Sequence, residues 1–428
     1  MPPPHKEETE SYINMQGSED NEIIEKDDPR SYILGHSARG GLNFFLHLLL
    51  VFRKRQSSVL EAFRRGFFGT DAFRFGVVFG GFSFLWKLIN NSMRLARGKE
   101  DHWNGLVAGS IAGLAIIAEK RERRITLAQQ VFVRALQGAY NAGHAREYFN
   151  IPHGDSLLFM VTCGQVLYAY TLQPDTIPQD FLKFMIQTAR VPAKALRFNR
   201  LNVRGQPLNT AELLDYAIKH KATPKALDVI SKLPAHPLAI PCSLVHPRFD
   251  SCKYTIVERF YKVFKTILPV YAALNTVSML VLGLKLFIKN PKHTTYKASF
   301  NTIRSSVFLA MFVTGYQTQV CLHRNLVKAG HKWHSKYFYW WWGFITSLSI
   351  FIEDRRRRVD LALYVLPKAA ESWYKILYSK NWIFELNHYA DVWFFSAATG
   401  VIMAFYQQEP EVLSHIVKSV LHNFVGKN

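Results

Sequence analysis

The chain carries the stretch GSIAGLAIIAEKRERRITLAQQVFVRALQGAY at residues 109–140, and a copy of it, GFITSLSIFIEDRRRRVDLALYVLPKAAESWY, at residues 343–374. Aligned without a gap, the two stretches share 13 of 32 residues. Unrelated stretches of ordinary composition share roughly two. The similarity extends upstream to the pair Arg74 and Arg304, and downstream to the pair Pro174 and Pro410. This pattern predicts one helical unit that is built twice.

Each copy lies within a series of short apolar segments. Spanning a bilayer takes about 20 apolar residues, with about 17 as the lower limit. The candidate segments are Leu42–Phe52, Phe75–Ile89, Trp103–Ala118, Ser156–Leu172, Leu268–Leu284, Ser305–Leu322, Tyr337–Ile352 and Val392–Tyr406. Flanking charges and interfacial aromatic residues favour a membrane protein over the alternative, a soluble α-protein with buried helices. The predicted fold class is all-α, a polytopic helical membrane protein with two homologous helical bundles from an internal duplication.

The composition divides the chain into five parts. An acidic N-terminal arm, expected to be disordered, precedes the first membrane repeat. A basic, proline-containing linker with Cys242 and Cys252 leads to the second repeat, which a C-terminal tail follows. In this order the parts cover residues 1–38, 39–175, 176–254, 255–412 and 413–428. Within the linker, short helices are expected at Ala211–Ile218 and Lys225–Ile230.

The net charge of +21 is typical of proteins that contact nucleic acid or anionic lipid. The arginine clusters lie at the ends of apolar segments, where lipid-facing charge is found. We therefore expect membrane lipids with anionic headgroups as partners, and no nucleic acid. Headgroup anchoring is predicted for Arg121, Arg123, Arg124, Arg355, Arg357 and Arg358. The alternative is a solvated loop with local ion pairs, and membrane-protein partners or a homo-oligomer stay open.

Small residues recur at helical spacing in the apolar segments. Residues four apart share one helix face, and the lack of a Cβ lets a second helix approach closely. Helix packing is predicted at Gly76, Gly80, Gly105, Gly109, Gly113 and Gly343. The alternative is a translocation groove lined by these faces.

An aspartate opens the last apolar segment of each repeat, at Asp155 and Asp391. An aspartate in such a place is expected to cap the helix by accepting a backbone N–H bond. The alternative is a gate, an intramembrane acid paired with Arg74 or Arg304.

The spacing of the cysteines argues against a metal site, and the absence of catalytic motifs argues against an enzyme. Cys242 and Cys252 bracket His246 in PCSLVHPRFDSC, a spacing that is not standard for zinc. A fourth ligand would have to come from His236 or elsewhere, so we expect a structural loop without metal or cofactor. No phosphate loop, metalloprotease pair or hydrolase elbow is present, and no catalytic residue is predicted.

Three groups of residues, in this order, resemble a known superfamily. They are Glu119–Arg124 with Leu127-Ala128, Pro152–Asp155 with Thr171–Pro174, and Cys242–Cys252 before Tyr254. Over most of residues 40–410, the chain is similar to the translocase of the inner membrane 17/22/23 superfamily, and within it to the transmembrane protein 135 family. The central segment has two cysteines, fewer than this resemblance leads us to expect, so no metal or redox role is transferred.

The resemblance implies a multi-pass protein of the peroxisomal membrane, with links to mitochondria and lipid droplets. It implies a non-enzymatic role in lipid homeostasis, organelle dynamics or membrane transport. The alternative is a component of the protein-import translocase in the mitochondrial inner membrane. Cargo, membrane orientation and oligomeric state are left open.

Overall fold

The computed structural model describes residues 30–45, 47, 58–282, 284–331 and 335–426, without the side chains of 278, 280–282 and 284–286. All regular secondary structure in these ranges is helical, which confirms the all-α prediction. The acidic arm up to residue 29 lies outside the described residues, as does most of the predicted segment Leu42–Phe52.

The α-helices of the described ranges are, in chain order, α1 (residues 30–45), α2 (Val59–Phe67), α3 (Thr70–Arg97), α4 (His102–Gly113), α5 (Arg121–Ala145), α6 (Gly154–Leu172), α7 (Gln179–Ala189), α8 (Ala193–Val203), α9 (Thr210–Lys219), α10 (Pro224–Ser231), α11 (Cys252–Leu282), α12 (Leu284–Lys289), α13 (Pro291–Lys328), α14 (Phe338–Thr346), α15 (Arg355–Ser379), α16 (Ala390–Gln408) and α17 (His415–Val425). Short 3-10 helices cover Leu114–Ala118, Pro174–Thr176, Cys242–Leu244, Ser347–Ile352 and Pro410–Val412.

One order of elements occurs twice along the chain. Helices α4 and α14 each run directly into a 3-10 helix, at Leu114–Ala118 and Ser347–Ile352. The next helices, α5 and α15, both have 25 residues, and the following pair, α6 and α16, both have 19. A 3-10 helix of three residues then follows in both places. We call these elements the first and second series; their common origin stays a prediction.

The compact units of the fold do not follow the two series. Unit 1 comprises Met1–Asn150 and Leu386–Asn428, and unit 2 comprises Ile151–Glu385. Helix α16, the last of the second series, packs against α4 and α5 in unit 1. Helix α6, the last of the first series, packs against α14 and α15 in unit 2. The predicted repeats, residues 39–175 and 255–412, are continuous stretches of the chain. The compact units differ from them, because unit 1 contains the final helix of the second series and unit 2 contains the final helix of the first series.

Three of the predicted parts carry more helix than the sequence indicated. Residues 30–38 belong to α1 rather than to a disordered arm, because α1 packs on α3 through Tyr32. The C-terminal tail contains α17, whose Phe424 ring lies 4.3 Å from that of Phe79. The linker contains α7 to α10, of which α9 and α10 confirm the two expected short helices. Its core holds Phe198, Tyr216 and Leu244, each at most 1% exposed.

Glycines allow very close helix packing within unit 1. A Cβ added to Gly105 would lie 2.8 Å from the Cα of Ala404, and one added to Gly109 would lie 3.0 Å from the Cα of Gly400. Side chains of ordinary size cannot occupy such positions without moving a backbone. Further along α4, a Cβ at Gly113 would lie 2.7 Å from the Cα of Ser396.

The same kind of contact occurs in unit 2 and between α1 and α3. A Cβ added to Gly343 would lie 3.0 Å from the Cα of Gly164, where α14 meets α6. In the repeat, Gly343 corresponds to Gly109 and Gly164 corresponds to Gly400. The two units therefore use one glycine pair each, and each pair joins a residue of the first series to one of the second. In α3, Gly76 and Gly80 face Tyr32.

Several helices turn small and polar residues inward and large apolar residues outward. In α3, one face at spacings of four and seven residues carries exposed side chains at Phe73, Val77, Phe84, Leu88 and Leu95. The buried residues of α3 include the small or polar Gly76, Ser83 and Asn90, along with the larger Val78 and Trp86. In α4, exposed Trp103 and Val107 contrast with the buried set Asn104, Gly105, Ala108, Gly109, Ala112 and Gly113.

The same arrangement occurs in α13. Its exposed apolar residues include Phe300, Ile303 and Met311. Its buried residues include Thr302, Ser305, Ser306, Ala310 and Thr314. A helix in water would show the reverse order, with its polar face outside.

One stretch of the described residues has the length and composition needed to cross a membrane. It is Val59–Arg97, which contains α2 and α3 and includes an 18-residue window with a mean hydropathy of 1.4. His102–Ala118 and Phe338–Ile352 are apolar but shorter. Of the eight apolar segments predicted from the sequence, Phe75–Ile89 lies in this stretch, and the others that the structure describes in full are shorter or less apolar. In α13, the small and polar residues of the buried face lower the hydropathy.

Substitution of glycine by alanine, which adds one methyl group, tests the glycine contacts. Gly109→Ala and Gly343→Ala should each lower the free energy of unfolding by about 1–3 kcal/mol, because the added Cβ overlaps the facing helix. The control is Gly81→Ala in α3, where the new Cβ would lie at an ordinary 3.5 Å from the Cβ of Ala115. That variant should gain up to about 1 kcal/mol from helix propensity. Thermal unfolding in detergent measures all three, and equal stability among them would contradict close packing.

Candidate functional site

An ion-pair network follows the first 3-10 helix in unit 1. The buried Glu119 carboxylate accepts the backbone N–H of Lys120 at 2.9 Å and Nη1 of Arg123 at 3.0 Å. Arg123 also donates from Nη2 to Asp71 at 3.0 Å, and Lys120 Nζ lies 2.7 Å from the same carboxyl group. The network ties the start of α5 to the start of α3.

The next arginine, Arg124, forms a buried ion pair with Asp391. Its Nε donates to Oδ2 of Asp391 at 2.8 Å, and the two side chains are only 8% and 7% exposed. Asp391 lies in the first turn of α16, so this pair joins α5 to the helix that the second series contributes to unit 1. Removing one partner of a buried ion pair strongly destabilises the fold, because the other charge is left buried without compensation.

Unit 2 repeats the network with other partners. Glu353, which corresponds to Glu119, is buried and accepts the backbone N–H of Asp354 at 3.0 Å. Nη2 of Arg304 donates to Asp354 at 2.6 Å and holds the pKa of that carboxyl below its ordinary value. Arg357 donates to Ser305 at 3.0 Å and also to Asn275. The start of α15 is thereby tied to α11 and α13.

The equivalent of the Arg124–Asp391 pair is not formed in unit 2. Arg358 corresponds to Arg124, but it donates to the backbone carbonyls of Glu353 and Phe351 at 3.1 and 3.0 Å. Its guanidinium also lies 5.1 Å from the centre of the Phe351 ring. Asp155, the counterpart of Asp391, accepts a hydrogen bond from Ser156 at 3.3 Å.

The structure places the predicted site residues as follows. Of the six predicted headgroup anchors, Arg121 and Arg355 are exposed, whereas the other four make the contacts described above. Asp155 and Asp391 lie inside the first helical turn, and the N-cap positions belong to His153 and Tyr389. N-capping is therefore not their role here. The partner of Asp391 is Arg124 rather than Arg304.

Unit 2 contains a cavity of about 280 Å³. Its walls come from α6, α7, α8, α11, α13 and α15, and they are mainly aromatic and aliphatic. The apolar lining includes Phe159, Val166, Leu167, Phe181, Phe184, Met185, Phe308, Phe312, Val313, Leu361 and Val365. This volume is near the lower end of the roughly 300–1,000 Å³ found for small-molecule pockets, which are also lined by apolar residues.

The polar residues that line the cavity are mostly hydrogen-bonded to neighbours. Tyr316 and Thr171 share a hydrogen bond of 2.6 Å between their hydroxyl groups. Arg259 donates to Gln317 at 2.9 Å and to the backbone carbonyl of Val245 at 2.9 Å. These contacts leave an apolar interior with a few fixed polar groups at its wall.

Three cysteines and one histidine meet beside this cavity. The ligand atoms of Cys242, His246, Cys252 and Cys321 all lie within 4.8 Å of one another. The Sγ atoms of Cys242 and Cys321 are 3.3 Å apart, and Sγ of Cys252 is 3.4 Å from Nε2 of His246. The hydrogen bond with Cys321 lowers the pKa of the Cys242 thiol. The cluster joins the linker and the start of α11 to α13.

Sequence reasoning missed this cluster because its fourth member lies far along the chain. Cys321 is in α13, at the end of the predicted apolar segment Ser305–Leu322. His236, the fourth residue considered from the sequence, is exposed and does not belong to the cluster. Only the pairing of α13 with the linker could have revealed the site, since no local spacing connects Cys321 to the other three residues.

Comparison with known proteins places one part of the chain in a family. Residues 31–139 match the Tim17/Tim22/Tim23/Pmp24 family. The matched range contains nearly all of α1, the whole of α2 to α4 and most of α5. It lies wholly in unit 1 and includes the stretch Val59–Arg97. It covers about a quarter of the chain. No curated protein and no solved structure matches the chain significantly.

The buried pair in unit 1 gives a test of how its charges act. Arg124→Met should lower the free energy of unfolding by about 3–5 kcal/mol, because Asp391 is left buried without compensation. Adding Asp391→Leu should restore most of that loss, since an apolar pair of similar volume is often neutral.

The matched control is Arg65→Met, which removes an exposed ion pair with Glu61. That change should cost about 0–1 kcal/mol. Thermal or denaturant unfolding in detergent gives the four values. A double variant no more stable than Arg124→Met alone would contradict the proposed origin of the loss.

Proposed function

We propose that the chain is a multi-pass membrane protein of an organelle that organises or passes lipid-related cargo without chemistry of its own. The peroxisomal membrane is the proposed location. The family match over residues 31–139 supports an organellar membrane, because members of the Tim17/Tim22/Tim23/Pmp24 family are translocase and membrane proteins. The proposal extends to the whole chain what the match covers only in part.

The exposed apolar faces of α3, α4 and α13 are the observation that supports the membrane proposal. Glycine, alanine, serine and threonine occupy many of the helix contacts, together with a few large residues such as Trp86 and Phe308. Other phenylalanine, leucine and tryptophan side chains of these helices, among them Phe73, Leu88 and Trp103, point away from the protein. In water, such faces would be large exposed apolar patches. In lipid, they meet a solvent as apolar as themselves, and small residues then supply the packing between helices.

The two glycine pairs support an origin by duplication. Gly109–Gly400 and Gly343–Gly164 are equivalent positions of the two series, and both are close backbone contacts. The matching lengths of α5 and α15, and of α6 and α16, support the same conclusion. Two copies of one helical unit are common in membrane transport proteins.

The cavity of unit 2 supports the lipid-related part of the proposal. It is lined by aromatic and aliphatic side chains, and two of its walls, α11 and α13, also expose large apolar residues such as Leu274 and Met311. A single apolar chain, such as part of an acyl tail, fits a site of this chemistry. Arg121 and Arg355, the exposed members of the predicted anchors, are the residues we propose for contact with anionic headgroups.

The second candidate is a component of a mitochondrial protein-import translocase. The observation that favours it is the same family match, whose name includes three inner-membrane translocase components. Location separates the two candidates, because an import translocase requires the inner mitochondrial membrane.

Cell fractionation tests both the membrane proposal and the location. A tagged chain should stay in the membrane pellet after alkaline carbonate extraction, because its outward faces are apolar. It should co-purify with peroxisomes rather than with mitoplasts. Release into the carbonate supernatant would disprove the membrane proposal, and enrichment in mitoplasts would favour the translocase candidate.

A volume-filling substitution tests the cavity. Val313→Phe enlarges a side chain that lines it, and should weaken binding of a dansyl-labelled fatty acid by roughly tenfold or more. The matched control is Val277→Phe on the exposed face of α11, which should bind the probe as the wild type does. Fluorescence titration of the purified proteins measures both. Unchanged affinity in a folded Val313→Phe variant would exclude the cavity as the binding site.

A further inference from the structure

The cluster of Cys242, His246, Cys252 and Cys321 has the donor set of a metal site. Among the described residues, it brings three thiols and one imidazole to within 4.8 Å of one another. In a tetrahedral site with zinc–sulfur bonds of about 2.3 Å, neighbouring donors are separated by roughly 3.5–3.8 Å. The contacts of 3.3 and 3.4 Å are close to that range. Small side-chain shifts would complete the tetrahedron.

The hydrogen bond of His246 provides an independent indication. Nδ1 of His246 lies 2.7 Å from the backbone carbonyl oxygen of Phe249. A carbonyl oxygen can only accept a hydrogen bond, so Nδ1 must carry the proton. In the neutral ring, Nε2 then has the free lone pair. Nε2 is the atom that faces the sulfur of Cys252. Metal-binding histidines are typically fixed in this way by a carbonyl behind the ring.

We propose that Cys242, His246, Cys252 and Cys321 bind one Zn²⁺ ion. Three thiolates and one imidazole form a common donor set of structural zinc sites, in which all four positions are filled by protein. Soft thiolate ligands exclude magnesium and calcium, which prefer oxygen. The site assigned here goes beyond the proposed function and does not depend on it.

The surroundings suit the charge of such a site. Binding of Zn²⁺ releases the protons of three thiols, so the filled site carries one net negative charge. Arg259 and Arg324 line the same cavity as the four ligands. In the part of the chain that the structure describes, neither of them forms an ion pair with an acidic side chain, and their hydrogen bonds go to Gln317, Asn199 and a backbone carbonyl. Burial lowers the pKa of Arg259, which an adjacent anion would offset.

The position of the cluster gives the ion a structural role. Cys242 lies in a short 3-10 helix of the linker, Cys252 opens α11, and Cys321 belongs to α13. The ion would join three separate elements of unit 2 at the wall of its cavity. Structural zinc sites contribute directly to folding free energy, because the unfolded chain has no preformed site.

Metal analysis of the full chain tests the proposal. Protein purified in detergent under reducing conditions, with zinc in the growth medium, should contain one zinc per chain by mass spectrometry. Cys321→Ser and His246→Ala should each reduce zinc affinity by at least about tenfold. His246→Cys should keep the metal, because four cysteines also form a structural zinc site. Cys163→Ala, which removes the buried cysteine outside the cluster, should keep it as well.

Cobalt and a chelator give readouts that do not depend on the folding of a variant. Co²⁺ added to the metal-free wild type should produce the intense visible bands of tetrahedral thiolate coordination. A chelator should lower the melting temperature of the wild type and of Cys163→Ala. A wild type that takes up neither metal, a native Cys242–Cys321 disulfide found by mass spectrometry, or equal zinc in Cys321→Ser would overturn the proposal.

Discussion

The contact of one helix backbone with another at a pair of glycines is the constraint on which each unit depends. Gly109 meets Gly400 in unit 1, and Gly343 meets Gly164 in unit 2. No larger side chain fits at these positions, so the distance between the helices is set by backbone atoms. Each pair joins the two series. The same contacts therefore place α16, the final helix of the second series, in unit 1 and α6, the final helix of the first series, in unit 2.

Charged residues fix the turn that follows this contact. In both series the helix with the glycine ends in a 3-10 helix, and a buried glutamate, Glu119 or Glu353, accepts the first backbone N–H groups beyond it. Arg123, Arg124, Arg357 and Arg358 are then held by acids, polar side chains or backbone carbonyls of their own unit. Burying a carboxylate is costly unless it is hydrogen-bonded and paired, so this turn has little freedom to change.

The linker between the series shows how far its composition could mislead. Its many basic residues and prolines indicated a connection, yet α7 to α10 form a hydrophobic core with Phe198, Tyr216 and Leu244 at its centre. The same segment supplies one wall of the cavity and three of the four residues of the cysteine and histidine cluster. A short amphipathic helix gives a weak signal, because its few apolar residues are separated by charged ones.

The sequence by itself determined the helical class, the repeated stretch and the positions of the small residues, since these depend on spacing among near neighbours along the chain. It also identified Cys242, His246 and Cys252 as a group. It did not predict α7, α8 or α17. Only the tertiary structure decided which series provides the final helix of each unit, which arginines are buried, and that Cys321 joins the cluster. These outcomes depend on contacts between residues far apart in the chain, and neither helical periodicity nor a motif spacing contains that information.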